Sequence, residues 1–422
     1  MKLYNTLTGQ CEEFVPRGDE VSLYVCGITP YDTTHLGHAF TYTVADVLVR
    51  FLESTGLQVR YVQNVTDIDD DILRKANEVG KDWKEVGDEW TRYFIRDMKS
   101  LNVRAPDFFP RATDVIPEII ETVQKLLDNG VAYEADGSVY FDIHAWSDFG
   151  KLNQMPTEKM LPIANERGNH PDDPNKRDPL DFVLWQAQAP GEPAWQSPWG
   201  MGRPGWHIEC STMCTRYLGE TVDIHSGGED LSFPHHECEI AQVEPVTGKK
   251  PFVRFWMHIA MVRYQGEKMS KSLGNLVMVR DLLERWSPDS VRFYLSGFHY
   301  RDSWSYEESG LERAAQQVDR LREALAVPGG NGEPLDVALC RDAFTQAMED
   351  DLDTPAAERA TLDLAQKILL AGRVGKDVRG AQEALRRMAG VFGLRLEDKD
   401  PEARVVQGWN QHLRRFEMGR EA

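Results

Sequence analysis

Basic residues are scarce in this sequence. Lysine and arginine together number 48, against 68 aspartates and glutamates, so the formal net charge is −20. This balance argues against a protein whose whole surface is basic, as non-selective binding of nucleic acid requires. It counts against any RNA partner, although a local basic patch remains compatible with it.

Cysteines and long apolar runs are scarce as well. The six cysteines form no disulfide-like framework, so they are expected to be core residues or metal ligands. No apolar run is as long as a membrane span, and residues 1–5 contain no apolar signal-peptide core. We therefore expect a cytoplasmic protein with no membrane partner. Its 422 residues are enough for two or three domains.

A strand–turn–helix–strand pattern opens the chain. Residues 21–25 form a strand-like run, and Val44, Val47 and Leu48 begin a helical periodicity that Gly56 ends. A second strand-like run follows at 57–65. This βαβ pattern implies parallel strands with a right-handed crossover, so we predict a doubly wound α/β sheet.

Two later stretches differ in character from this unit. Residues 155–179 are polar, rich in proline and without periodicity, which predicts an exposed loop. Beyond about residue 300 the chain is charged, helix-rich and poor in strands. We expect a catalytic domain over 1–300, interrupted by an inserted segment at about 107–200, and a helical C-terminal domain over 301–422.

Two histidines, His35 and His38, flank Gly37 at the predicted start of the first helix. The turn after the first strand of a βαβ unit offers free backbone N–H groups and the positive end of a helix dipole, which together bind phosphate. Gly37 would let a ligand approach the backbone closely. On this stretch alone, two ordinary turn histidines are the alternative.

A second nucleotide signature lies in a predicted loop at 266–275, which contains the run from Lys268 to Ser272. Its two lysines suit a mobile polyphosphate. The early His-x-Gly-His and this late Lys-Met-Ser-Lys-Ser together resemble the signatures of class I aminoacyl-tRNA synthetases. The resemblance implies a Rossmann-like catalytic domain that binds ATP with Mg²⁺ and uses His35, His38, Lys268 and Lys271 in catalysis. The implied ATP-binding residues are His35, Gly37, His38, Lys268, Met269, Ser270 and Lys271.

Four residues from separate parts of the chain suggest a zinc site: Cys26, Cys210, His235 and Glu239. His235 and Glu239 are spaced to share one helical face. Thiolate, imidazole and carboxylate ligands suit tetrahedral zinc, although spacing alone does not decide for it because the chain has no Cys-x-x-Cys. Rival ligands, which we assign to packing or to supporting roles, are Cys214, Cys238 and His236.

The resemblance narrows to the cysteinyl-tRNA synthetase family. The matching stretches are 26–29, 64–70, 205–210, 223–225, 233–237 and the 266–275 loop. In that family zinc binds the substrate thiol, and the implied partners are cysteine, ATP and tRNA(Cys), with a monomer expected. The match also implies that Thr29, Thr66, Trp206 and His225 shape the cysteine pocket, although Trp206 could be a core residue.

The sequence leaves two candidates for the molecule that accepts the activated cysteine. Stretches 28–32, 166–178 and 352–355 also resemble the mycothiol-pathway ligase, which transfers cysteine to the amine of glucosaminyl-inositol. The usual anticodon-recognition segment is mostly missing after Leu396, whereas His225, 239–242 and 266–275 resemble the synthetase more closely. We favour tRNA as the acceptor. A non-catalytic binding protein is a third reading, which the intact phosphate and zinc residues disfavour.

Overall fold

The computed structural model describes residues 1–31, 34–269, 273–396 and 402–418. The strands, in chain order, are β1 Lys2–Asn5, β2 Gln10–Glu13, β3 Glu20–Ile28, β4 Gln58–Val65, β5 Ala132–Ala135, β6 Ser138–Phe141, β7 Phe182–Ala187, β8 Trp195–Ser197, β9 Gly200–Pro204, β10 Val222–Gly228, β11 Val253–Ile259, β12 Val262–Tyr264, β13 Glu267–Lys268 and β14 Trp304–Tyr306. The α-helices are α1 Leu36–Ser54, α2 Asp70–Val79, α3 Trp83–Ser100, α4 Ile116–Asp128, α5 Thr157–Asn165, α6 Trp206–Leu218, α7 Glu237–Thr247, α8 Val279–Leu283, α9 Pro288–Ser296, α10 Glu308–Ala326, α11 Ala338–Glu349, α12 Thr354–Arg373, α13 Arg379–Val391 and α14 Ala403–Met418.

The central sheet has the strand order β11-β10-β3-β4, and each neighbouring pair is parallel. The chain passes from β3 through α1 to β4, and later returns on the other side of β3 to form β10 and β11. The predicted doubly wound parallel sheet is thereby confirmed. Where the strand order reverses, between β3 and β10, a crevice opens at the carboxyl ends of the strands, and α/β proteins bind ligands there.

A close backbone contact fixes the carboxyl end of β3. The pairing of β3 with β4 shifts register between Val25 and Ile28. Within this irregularity the Gly27 amide donates to the Asn64 side-chain oxygen at 2.7 Å. A Cβ atom on Gly27 would lie only 1.6 Å from the Asn64 carbonyl oxygen, so only glycine fits. The contact holds Cys26 at the edge of the crevice.

A second sheet lies between the two halves of the parallel sheet in the chain. It is antiparallel, with the order β5-β6-β7-β9-β8. The loop predicted over 155–179 is wrong in part, because α5 occupies its first half. Met160 and Ala164 are the buried residues of that helix, and Pro162 lies inside it. With only two buried residues among nine, the helix has too weak an apolar periodicity to be predicted from the sequence.

The C-terminal part consists of helices from α10 onward, as the sequence predicts. The last described helix, α14, packs against α3 of the parallel-sheet half. Its Trp409 indole donates to the Val103 carbonyl at 2.9 Å, and its His412 ring bonds the Pro106 carbonyl at 2.7 Å. Among the described helices, none is both long and apolar enough to cross a bilayer.

Candidate active site

His35 and His38 lie where β3 leads into α1. His35 is the N-cap of this 19-residue helix, and its Nδ1 accepts the Gly37 amide at 3.1 Å. The His38 ring stacks on the His35 ring with centroids 3.8 Å apart. A Cβ on Gly37 would lie 2.9 Å from the His35 ring, so glycine permits this cap. Two imidazoles therefore stand at the positive end of a helix, where anions bind.

The lysine loop connects with this helix start through its flanks. On the far side of the loop, the Val277 carbonyl and the Val279 amide form backbone hydrogen bonds with residues 34–36, at 2.8 and 3.0 Å. On the near side, Met269 is buried in the core at 6% exposure. Of the other predicted loop residues, only the backbone of Lys268 is described, and Ser270 and Lys271 lie outside the described residues.

Four predicted metal ligands meet inside the crevice. Cys26 comes from β3, Cys210 from α6, His235 from the turn before α7, and Glu239 from α7. Their donor atoms all lie within 4.8 Å of one another, and all four residues are buried. The sulfurs of Cys26 and Cys210 are 4.0 Å apart, and the Cys26 sulfur is 3.8 Å from Glu239 Oε1. Glu239 Oε1 is in turn 3.2 Å from His235 Nε2.

These distances and charges fit zinc. Tetrahedral zinc, with bonds of about 2.0–2.3 Å, places its ligand atoms about 3.3–3.8 Å apart, close to the spacings observed. Burial lowers the pKa of His235, so its imidazole is neutral and able to donate a lone pair. Burial raises the pKa of the Cys26 thiol and of the Glu239 carboxyl. In the part of the chain that the structure describes, no lysine or arginine pairs with either group, so a divalent cation would supply the missing charge.

A second group of potential ligands overlaps the first. It consists of Cys26, His225, His236 and Glu239. His236 Nε2 is 3.3 Å from the Cys26 sulfur, and His225 Nε2 is 3.0 Å from Glu239 Oε2. On its other side, His236 Nδ1 bonds His258 Nε2 at 2.8 Å, and this contact fixes the orientation of its ring. Among the described residues, Cys214 and Cys238 belong to neither group.

The predicted pocket residues differ in how they contact this cluster and its surroundings. The Trp206 ring stacks on His235 with centroids 4.4 Å apart, and His225 bonds Glu239. Thr66 directly follows β4, is buried, and accepts the Asn64 amide nitrogen at 3.2 Å. Thr29 follows β3 and is half-buried. Three of the four residues therefore have described side-chain contacts in the crevice.

The acidic run after Thr66 begins a helix, as expected for carboxylates beside a helix dipole. Asp69 caps α2 by accepting the Asp71 amide at 2.8 Å. Asp67 instead accepts the Thr113 hydroxyl at 2.6 Å. Burial raises the pKa of both Asp67 and Asp69 to about 6.

Sequence reasoning missed Glu209, which directly precedes Cys210 in α6. The residue is completely buried, and burial raises the pKa of its carboxyl. The available signal was its position in the sequence. Glu209 is a charged residue between the apolar Ile208 and the metal-ligand candidate Cys210. A second missed residue is His207, whose Nδ1 is 2.9 Å from His235 Nδ1.

A cavity of about 530 Å³ adjoins the site. Trp206 and His207 line it from the α6 side, and Arg167, Asn169 and Lys176 line it from the polar stretch after α5. Its volume is within the range typical of small-molecule pockets. The polar stretch therefore forms a wall of the crevice.

Comparisons with known proteins find two matching family models and several similar relatives. Residues 13–316 match the family described as tRNA synthetases class I (C) catalytic domain, and residues 343–397 match the DALR domain. A cysteine–tRNA ligase of Dehalococcoides mccartyi is 46% identical over 407 residues, covering 95% of this chain and 88% of that protein. One of Thermococcus onnurineus is 47% identical over 384 residues, covering 87% and 80%.

Solved structures are similar in fold at lower identity. A methionyl-tRNA synthetase of Mycobacterium tuberculosis, in complex with methionyl-adenylate, superposes with a TM-score of 0.64 at 16% identity. The likeness covers 94% of this chain and 93% of that one. At this identity the similarity shows the fold alone.

Proposed function

Because the chain belongs to the cysteine–tRNA ligases, a family of class I tRNA synthetases, we propose that it joins cysteine to tRNA(Cys) at the crevice between β3 and β10. One observation carries this proposal. Four buried side chains with the donor chemistry of a zinc site converge around Cys26 of β3, and two stacked histidines stand at the start of α1, the helix that follows β3. Groups suited to a thiol and groups suited to phosphate are thus supplied by one strand–helix unit.

In the first step, a carboxylate oxygen of cysteine attacks the α-phosphorus of ATP. The bond from that phosphorus to the bridging oxygen breaks, and pyrophosphate leaves with the electron pair. Negative charge builds on the phosphates, and His35 and His38 at the start of α1 stabilise it. The loop residues Lys268, Met269, Ser270 and Lys271, together with Mg²⁺ and the Gly37 backbone, complete our proposed ATP site.

We assign Cys26, Cys210, His235 and Glu239 to zinc. When bound, zinc prefers a thiolate strongly over a hydroxyl, and so it selects cysteine against serine. His225 and His236 would orient the ligands, because they bond Glu239 and Cys26 from outside the set. We favour this set over the overlapping one because its two sulfurs suit zinc better.

The pocket residues would hold the rest of the amino acid. Trp206 stacks on His235 and His225 bonds Glu239, so both side chains lie directly against the proposed zinc ligands. Thr29 and Thr66 follow adjacent parallel strands, where their hydroxyls would reach the amino and carboxylate ends of cysteine.

In the second step, a ribose hydroxyl of the terminal tRNA nucleotide attacks the carbonyl carbon, and AMP leaves. Catalysis in both steps is positioning and electrostatics, with no covalent enzyme intermediate. We place the chemistry in a domain over 1–300, with its insertion at about 107–200, and the helical domain over 301–422 beside it. A cytoplasmic monomer is the form we propose.

The alternative acceptor, the amine of glucosaminyl-inositol, has less support. Relatives that are 46% and 47% identical over most of this chain are named for tRNA. The shared first step means that activation alone does not separate the two acceptors.

Cysteine-dependent exchange of labelled pyrophosphate into ATP tests the proposed activation. We expect exchange with L-cysteine. With L-serine the kcat/KM should be at least roughly 10⁴-fold lower, because the serine hydroxyl would leave the thiol-binding groups of the site without their partner. Absence of exchange with cysteine, or equal exchange with serine, would refute the proposal.

The His38→Ala variant should activate cysteine roughly 100-fold more slowly than the native enzyme, with the KM for cysteine unchanged. The ring would act on charge that develops only in the transition state. The matched control is His144→Ala, since the His144 side chain is 73% exposed and pairs with Asp178 in the inserted segment. Its kcat should equal that of the native enzyme, and an equal loss in both variants would contradict the assignment.

A further inference from the structure

Glu209 is a buried carboxylate without a positively charged partner among the described residues. Its exposure is 0%, no described lysine, arginine or histidine bonds either of its oxygens, and the donor that faces it is the neutral Thr66 hydroxyl. Burying such a group is costly unless a partner compensates for the lost water. A buried carboxylate without a counter-charge calls for an explanation in an enzyme, and a cationic group of a ligand is one.

The surroundings of Glu209 are rich in acidic groups. The carboxyls of Asp69 and Asp67, which follow β4 at the crevice, both act on it electrostatically. Thr66 also faces it, and the Thr66 oxygen already accepts a hydrogen bond from Asn64, which leaves its hydroxyl proton available for donation. A cation would therefore be attracted to this corner of the crevice.

The described arginines that act electrostatically on Asp67 and Asp69 are already paired with other carboxylates. Arg203 acts on Asp69, but its guanidinium forms ion pairs with Asp70 and Glu192. Arg111 acts on Asp67, but it pairs with Asp88 at 2.7 Å. Neither of these arginines bonds Glu209. The charge is left for a ligand to balance.

We propose that Glu209 binds the α-ammonium group of the substrate cysteine, an inference that rests on the proposed activation of cysteine. The substrate presents three groups: a thiol for the zinc ligands, a carboxylate for ATP, and an ammonium. The amine and the thiol are on adjacent carbons of cysteine, and Glu209 is adjacent to the zinc-ligand candidate Cys210. The Thr66 oxygen has a second lone pair that can accept a hydrogen bond from the ammonium, but a neutral hydroxyl cannot balance its charge. Glu209 is therefore a determinant of specificity for amino acids over plain thiol acids.

The Glu209→Gln variant tests this role in the pyrophosphate exchange assay. We expect the KM for L-cysteine to rise roughly 100-fold with kcat little changed, because a charged hydrogen bond in a buried site is lost. The second substrate is 3-mercaptopropionate, which keeps the thiol and the carboxylate but lacks the amine. The variant should use it as well as the native enzyme does, or better, so the preference for cysteine should fall by the same factor.

Two measurements separate this role from a structural one. Zinc content should remain equal in the variant and the native enzyme. Glu358→Gln is the matched control, because Glu358 in α12 is another buried carboxyl, 7% exposed, whose Oε1 has no described partner. Its KM for cysteine should be unchanged. If the Glu209→Gln chain fails to fold, Glu209→Asp supplies the test, with a smaller rise in KM expected.

The outcomes are distinguishable. An unchanged KM for cysteine in the Glu209→Gln variant would overturn the assignment, as would equal losses with cysteine and 3-mercaptopropionate. If the native enzyme itself fails to exchange pyrophosphate with cysteine, the proposed function fails instead.

Discussion

A Cys210→Ser enzyme is expected to lose its zinc and at least about 10³-fold of its rate of cysteine activation. Mutation of a residue that only hydrogen-bonds a metal ligand lowers metal affinity by about 10–100-fold. Loss of the ligand itself should lower the affinity further. A serine hydroxyl is a poor substitute, because zinc favours thiolate sulfur. Metal analysis of the purified protein and the pyrophosphate exchange assay measure the two effects.

Cys214→Ser is the matched control for this prediction. Cys214 lies one turn further along α6, is 0% exposed, and belongs to neither described ligand group. We expect this variant to keep its zinc and to activate cysteine within a few-fold of the native rate. Zinc retained in Cys210→Ser, or zinc lost in Cys214→Ser, would show that the ligands are wrongly assigned.

The largest expected effect on stability comes from Arg292→Met, which should lower the free energy of unfolding by about 3–5 kcal/mol. Arg292 is completely buried in α9 and bonds three separate elements. Its guanidinium donates to the Phe392 carbonyl at 2.6 Å, the Leu101 carbonyl at 2.9 Å and the Asp46 carboxylate at 2.5 Å. Methionine would fill much of the space but leave these acceptors unsatisfied. Urea denaturation measures the difference.

This penalty should depend on pH. Burial opposes ionisation of Asp46, but Arg50 and Arg292 outweigh it and lower its pKa below the ordinary value. The pairing therefore stabilises the fold fully above the pKa of an unfolded aspartate, about 3.9, and is lost as the pH falls through the lower folded pKa. The difference between native and variant should shrink in acid.

The exposed Arg313→Met is the control for the Arg292 prediction. Arg313 in α10 makes one long hydrogen bond, 3.5 Å to Ser309, so its removal should change the free energy of unfolding by less than about 0.5 kcal/mol. A cost of that size for Arg292→Met as well would show that the buried network contributes little.

The βαβ unit was predictable from sequence because its signals are local. Strand-like runs mark β3 and β4, a helical periodicity marks α1, and Gly27 and Gly56 mark the turns. The missed helix α5 lacks such a signal, because its buried contacts are few and Pro162 lies inside it. A short helix stabilised by tertiary contacts has no pattern of its own to detect.

The chemistry of the site was predictable only as a set of candidates. Residue type indicates that cysteines and histidines could bind zinc, but the choice between Cys210 and Cys214, or between His235 and His236, depends on distances that sequence does not contain. The overlap of two ligand groups at Cys26 and Glu239 shows how close these alternatives are even in three dimensions. Glu209 was missed because a charged helical residue is usually exposed.

The most direct test of the central claim is to identify where activated cysteine goes. The purified protein would be incubated with ATP and labelled cysteine, with total tRNA in one reaction and glucosaminyl-inositol in another. The account predicts label on tRNA and none on the amino sugar. Label on the amino sugar alone would contradict it and would make the chain a cysteine ligase of a different pathway.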